Sequence, residues 1–131
     1  MLEILEQKNL DCYQEIIKKL EISGQAELHI SEAKEEKLVK GYIIYAYEPE
    51  QVLIYAVADN NDWNQCDGLV RSVLFKAELK GLQKAVFLVQ DMQMQDRLVK
   101  LGFMKNNQKT LENIMEVMEN CKKCKENPAN T

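Results

Sequence analysis

The spacing of apolar positions changes several times along this chain, and each change marks an element. Leu2 to Leu5 (LEIL) is a short apolar run that predicts a first edge strand. Leu10, Tyr13, Ile16, Ile17 and Leu20 recur at the spacing of one helical face, in a helix that starts at Asn9 or Asp11 and ends at Ser23-Gly24. Ala26, Leu28 and Ile30 alternate with Glu27, His29 and Ser31, the mark of a half-buried strand. Lys34 to Lys37 (KEEK) predicts a polar turn. Leu38 to Tyr47 reads as the next strand, with strong β-formers in Tyr42, Ile43, Ile44 and Tyr45. Glu48-Pro49-Glu50 predicts a tight turn, and Val52 to Ala58 the strand that returns from it. These strands form an antiparallel meander.

The period then becomes helical. Leu69, Val70, Val73, Leu74 and Ala77 make one buried stripe, with Arg71, Lys76, Glu78 and Lys80 mostly on the wet side. Two N-terminal caps are open to this helix: Asp67, or Asp62 with Gln65 three residues later in the manner of a capping box. Gly81 ends it. Ala85 to Val89 (AVFLV) is continuously apolar, which suits a parallel strand covered on both faces. Asp91 caps a shorter helix lined by Met94, Leu98 and Leu101, and Gly102 closes it. Beyond Phe103 the pattern predicts one short strand near residues 110–114 and a helical turn after it. The expected class is α/β, with a mixed sheet: the antiparallel N-terminal meander followed by a strand-helix-strand-helix crossover core.

Composition narrows the function classes. With 131 residues, 46% of them hydrophobic, the chain can bury one core, expected over residues 1–118. Residues 119–131 read as a cysteine-containing tail, partly disordered. A net charge of -4 and a pI near 5.1 lack the basic footprint of a nucleic-acid surface. The apolar runs fall far short of a membrane span, and no charged-then-apolar leader opens the chain. The expected home is the cytoplasm, with the four cysteines reduced. Asp59 to Asp67 (DNNDWNQCD) offers oxygen ligands, but not at EF-hand spacing, so Asx turns and helix caps are the expectation. Trp63 is a lid over a pocket or a packing anchor. Cys121-Lys122-Lys123-Cys124 is half of a zinc site, with Cys12, Cys66 and His29 the only other sulfur or nitrogen candidates. Incidental thiols, a reversible disulfide and a metal site all stay open there, and no metal ligands are assigned. His29 is expected on the surface.

The order strand, turn, helix, strand, helix, then Leu101-Gly102-Phe103, resembles the acyl-CoA-binding core of the Gcn5-related N-acetyltransferase (GNAT) superfamily, over roughly residues 2 to 105. The family's central helix opens with Arg/Gln-x-x-Gly-x-Gly/Ala. Gln65-Cys66-Asp67-Gly68-Leu69-Val70 matches its first two key positions, and Val73 to Gly81 (VLFKAELKG) is similar to its helix body. The resemblance implies acetyl-CoA as cofactor, with its pyrophosphate on the turn from Gln65 to Val70 and its pantetheine arm along Ala56, Val57 and Ala58. Three positions depart from the family. Leu98 stands where many members carry the tyrosine that protonates the leaving thiolate. Asp91 replaces a frequent asparagine, and Val70 replaces a small residue at the phosphate. Asp67 would also repel the anion, by about 4 kcal/mol at ~4 Å and an effective dielectric of ~20, unless Arg71 or Lys105 offsets it. No catalytic residue is assigned: Glu27, Glu48 and Glu50 lie in no motif, and Tyr45, Tyr47 and Tyr55 suit a pocket or a core equally. Two functions follow from the resemblance. One is an acetyl-CoA-dependent N-acetyltransferase of a small amine or peptide amine. The other is a catalytically degenerate binding or dimerisation module, and a homodimer is the family's default in either case. A metal- or redox-sensing role for the terminal cysteines is a third.

Overall fold

The computed structural model describes residues 2–22 and 27–118. Six strands form one sheet in the order β1-β2-β3-β4-β5-β6, with β1 Leu2–Gln7, β2 Leu28–Glu35, β3 Leu38–Tyr47, β4 Gln51–Ala58, β5 Lys84–Phe87 and β6 Thr110–Leu111. The first four strands pair antiparallel. β4 and β5 pair parallel across the crossover helix α2 (Trp63–Leu79), and β6 returns antiparallel on β5. A 3-10 turn at Asp11–Tyr13 leads into α1 (Gln14–Lys19), α3 spans Met92–Lys100, and residues 114–118 are helical. The meander, the crossover core and the short closing strand all stand where the periodicity predicts them.

Helices cover both faces of the sheet. On one face α2 lays Leu69, Val73, Leu74 and Ala77 over Ile43, Tyr45, Val52 and Ile54, and Leu98 of α3 and Phe103 extend that core. On the other, Leu10, Tyr13, Ile16, Ile17 and Leu20 pack on Ile30 and Ile44. This two-sided cover corrects the half-buried reading of β2. Ser31 and Glu32 are both buried, on opposite faces of one strand. Glu32 accepts hydrogen bonds from the Tyr13 hydroxyl and from Gln7 Nε2 at 3.3 Å. Burial, then this carboxylate, hold the Tyr13 phenol well above its usual range. His29 is also corrected: it lies partly buried, stacked on Tyr45 with centroids 5.5 Å apart, its Nδ1 3.1 Å from the Glu6 carboxylate. The predicted turn at Lys34–Lys37 shrinks to Glu36 and Lys37, both at positive φ, because Lys34 and Glu35 stay in β2.

Both crossover helices end as expected. Gly81 and Gly102 follow α2 and α3 at φ +83 and +92, the left-handed conformation that stops a helix without a Cβ clash. Asp91 Oδ1 accepts from the amides of Gln93 at 2.9 Å and Met94 at 3.3 Å, capping α3.

Candidate functional site

The site begins with a surplus residue. Tyr45 pairs with Ile54 but Ile44 pairs with Ala56, so Tyr55 is an extra residue in β4, a bulge. Bulges bend a strand and interrupt its pairing. The parallel pairing with β5 stops at the same place: Ile54 pairs with Phe87, and the last bond is from Leu88 N–H to the Ile54 carbonyl at 2.7 Å. Past it, residues 55–58 and 89–91 diverge. β5 therefore ends before the predicted Val89. Between the two strand ends lies a cleft of about 390 Å³. Ala56, Val57 and Ala58 form one wall, Val89, Gln90 and Asp91 the other, and Leu20, Tyr42 and Tyr55 close one side. Desolvation raises the pKa of both tyrosines.

The floor is an ion pair. Arg97 of α3 donates to the Asp59 carboxylate and, at 3.2 Å, to Asn61 Oδ1. Its guanidinium lies 5.3 Å from the centroid of the Trp63 ring. Trp63 is thus a packing partner of Arg97 at the cleft's edge, 42% exposed. Asn61 N–H bonds to Asp59 Oδ1 at 3.0 Å, the Asx turn expected of this loop, and Asn60 and Asn61 take φ of +53 and +60. Asparagine is among the few residues that tolerate this region.

The segment from Gln65 to Val70 is not a turn. Asp62, the earlier of the two predicted caps, starts α2 by accepting Gln65 N–H at 3.2 Å, and Cys66 N–H already bonds to the Asp62 carbonyl at 3.0 Å. The amides of Asp67, Gly68, Leu69 and Val70 follow in the helical ladder. Gln65, Cys66, Leu69 and Val70 are buried. Gln65 Nε2 donates to the Asp59 carbonyl at 2.8 Å. A Cβ on Gly68 would lie 3.1 Å from Ile4 Cδ1, so this glycine admits β1 against α2. Asp67 is bound by Arg71 Nε, 3.0 Å from each carboxylate oxygen, and Arg71 also donates to the Val117 carbonyl at 3.2 Å. A diphosphate needs free amides and a positive end. The amides from Gln65 to Val70 are engaged, Asp62 caps the helix start, and Arg71 is already paired. The Gln65–Val70 segment itself offers a diphosphate no free amide.

Leu98, at the family's proton-donor position, is fully buried in the core. Burial pushes the Cys66 thiol up to about 12. At pH 8 its thiolate fraction is on the order of one in ten thousand. Alkylation of the native protein at pH 8 should therefore modify exposed Cys12 and leave Cys66 untouched, with Cys66 labelled only in denaturant; peptide mass mapping reads both outcomes. Cys121 and Cys124 lie outside the described residues. Of the glutamates, Glu48 lines a second hollow beside the cleft with Glu21, Lys109 and Tyr55. Tyr45 is core, and its OH lies 2.9 Å from Ser31 Oγ.

No helix of the described residues is long and apolar enough to cross a membrane. No protein-family model matches the sequence, and no curated protein matches it. Solved structures do. A GNAT-family protein from Desulfovibrio desulfuricans superposes with a TM-score of 0.57 at 14% identity, over 76% of this chain and 82% of that one. A GNAT-family acetyltransferase from Elizabethkingia anophelis, solved with acetyl-CoA bound, gives 0.55 at 19% identity over 76% and 72%. A ribosomal-protein-alanine N-acetyltransferase from Escherichia coli gives 0.57 at 10% identity over 78% and 77%. At these identities the likeness is one of fold, and this chain is a GNAT-fold protein.

Proposed function

We propose that this chain is a GNAT-fold binding module that has lost acetyl-CoA chemistry and kept the cleft. One observation carries the reading: α2 starts at Trp63 under an Asp62 cap, which draws the whole Gln65–Val70 segment into a helix. Two further facts agree with it. The proton-donor position is a core leucine, and Cys66 lies buried under the cleft floor with no accessible thiolate. The test is thiol release from acetyl-CoA at ~1 mM with a panel of small amines and peptide amines. Release at the uncatalysed rate is expected, and turnover with any acceptor would end the proposal.

One feature favours the other reading, an N-acetyltransferase. The open edge of β4 at Ala56–Ala58 is lined by small side chains and can take the arm of a thioester cofactor. In that reading the acceptor amine enters through the hollow that carries Glu21 and Glu48. The same assay decides between the two.

A further inference from the structure

β1 is the outermost strand of the sheet, and among the described residues only β2 pairs with it. Its six residues run in unbroken register against Ile30–Glu35, with no bulge and no proline. Along a strand paired on one side, alternate N–H and C=O groups point away from the sheet. Such an edge is a template for another strand unless charge, proline or a bulge blunts it. Two of its apolar side chains are exposed as well, Leu5 at 52% and Leu2 at 42%. Leu5 stands beside Glu32 on the α1 face, and Ile4 beside Ala33 on the α2 face.

The order of residues along this edge selects its partner. Residues directly opposite each other in an antiparallel pair share a face of the sheet. β1 can therefore pair with a copy of itself only about a two-fold axis that passes through a residue position. An axis at Glu3 or at Glu6 sets a carboxylate against its own copy, which is destabilising. An axis at Ile4 puts Glu3 opposite Leu5 and Glu6 opposite Leu2. An axis at Leu5 sets Leu5 on Leu5 and Glu3 against the amide of Gln7. Glu6 then faces Ile4 but keeps its own partners, His29 at 3.1 Å and Lys76 at 3.6 Å. This last register covers the more exposed leucine and gives each carboxylate a polar neighbour.

We infer that β1 is a self-association edge: two copies of this chain join antiparallel, Leu5 on Leu5, and their two six-stranded sheets become one. The inference goes beyond the reading of the cleft and does not depend on it. A contact one strand wide is a small interface, below about 1,200 Å², so the dimer forms reversibly.

Sedimentation equilibrium of the full chain between ~10 µM and ~1 mM tests this, together with the variants Leu5→Lys, Leu5→Glu and Met115→Lys. Met115 is as exposed as Leu5 and lies past β6, the strand at the opposite margin of the sheet. The parent chain and Met115→Lys are expected to dimerise alike. Leu5→Lys and Leu5→Glu each place like charges on the axis and are expected to associate at least about tenfold more weakly. An equimolar mixture of the two is expected to recover the dimer, because the substituted side chains then carry opposite charges across the axis. Amide exchange over Glu3–Gln7 of the parent is expected to slow as its concentration rises, which reads strand pairing with no substitution at all. A parent that stays monomeric at ~1 mM overturns the inference. So does a Leu5→Lys variant that dimerises as well as the parent or better, the result for an Ile4 axis, where the lysine would meet Glu3. A mixture no stronger than its components, loss of the dimer in Met115→Lys, or unchanged exchange in β1 overturns it equally.

Discussion

Replacing Arg97 by methionine is expected to cost about 3–5 kcal/mol of folding stability, the range for removing one partner of a buried ion pair. Its side chain is 13% exposed and that of Asp59 only 5%, so the orphaned carboxylate has little water to turn to. The pair also spans α3 and the loop that starts α2, so its loss releases the cleft floor and the Trp63 ring together. A small domain has about 5–15 kcal/mol in all, which makes this one of its most damaging surface-proximal changes. Equilibrium urea unfolding gives the number. The double variant Asp59→Asn/Arg97→Met should be more stable than Arg97→Met alone, because no charge is left without a partner. A single-variant loss below about 1 kcal/mol would place the pair in water and remove the floor from the site.

Gly41→Ala is the second large effect. The added Cβ would lie 2.3 Å from the Ala58 carbonyl oxygen, with Gln65 Cδ and Oε1 both at 3.3 Å. Gln65 can give way, but the oxygen belongs to the backbone of β4 and moves only with the β3–β4 ladder. A loss of about 3 kcal/mol is expected, at the upper end for overpacking, with displacement of the Ala58 end of the cleft wall. Thermal unfolding measures the loss, and amide shifts at residues 56–61 report the displacement. A neutral substitution with unmoved shifts would contradict the close approach of the two strands.

Much of this was legible from spacing alone. The stripe at Leu69, Val73 and Ala77 and the run at Ala85–Val89 give the crossover core, because period and length there admit one reading. The caps at Asp62 and Asp91 were visible too. Local similarity reports residue type and is silent on where a helix starts. Gln65-Cys66-Asp67-Gly68 fits a phosphate turn by residue type, yet Asp62 three residues earlier nucleates the helix first, and Gly68 answers to Ile4 of β1, over sixty positions away in sequence. The buried Glu32 and the Arg97–Asp59 pair left no sequence signal. Glu32 looks like any polar position of an alternating strand, and its partner Tyr13 comes from another element. Arg97 and Asp59 are 38 residues apart, and nothing in either neighbourhood announces the other. Periodicity reports which faces are apolar; it is silent on which polar groups meet inside.

The bulge at Tyr55 gives the cleft an arithmetic origin. β4 counts one residue more than its partner requires, and the gap beside β5 opens at that count. The opening is therefore a matter of number before it is a matter of side chains. Cleft-lining residues can drift while the register still holds the door ajar. A single-residue deletion at Tyr55 would therefore do more to close it than any substitution along its walls.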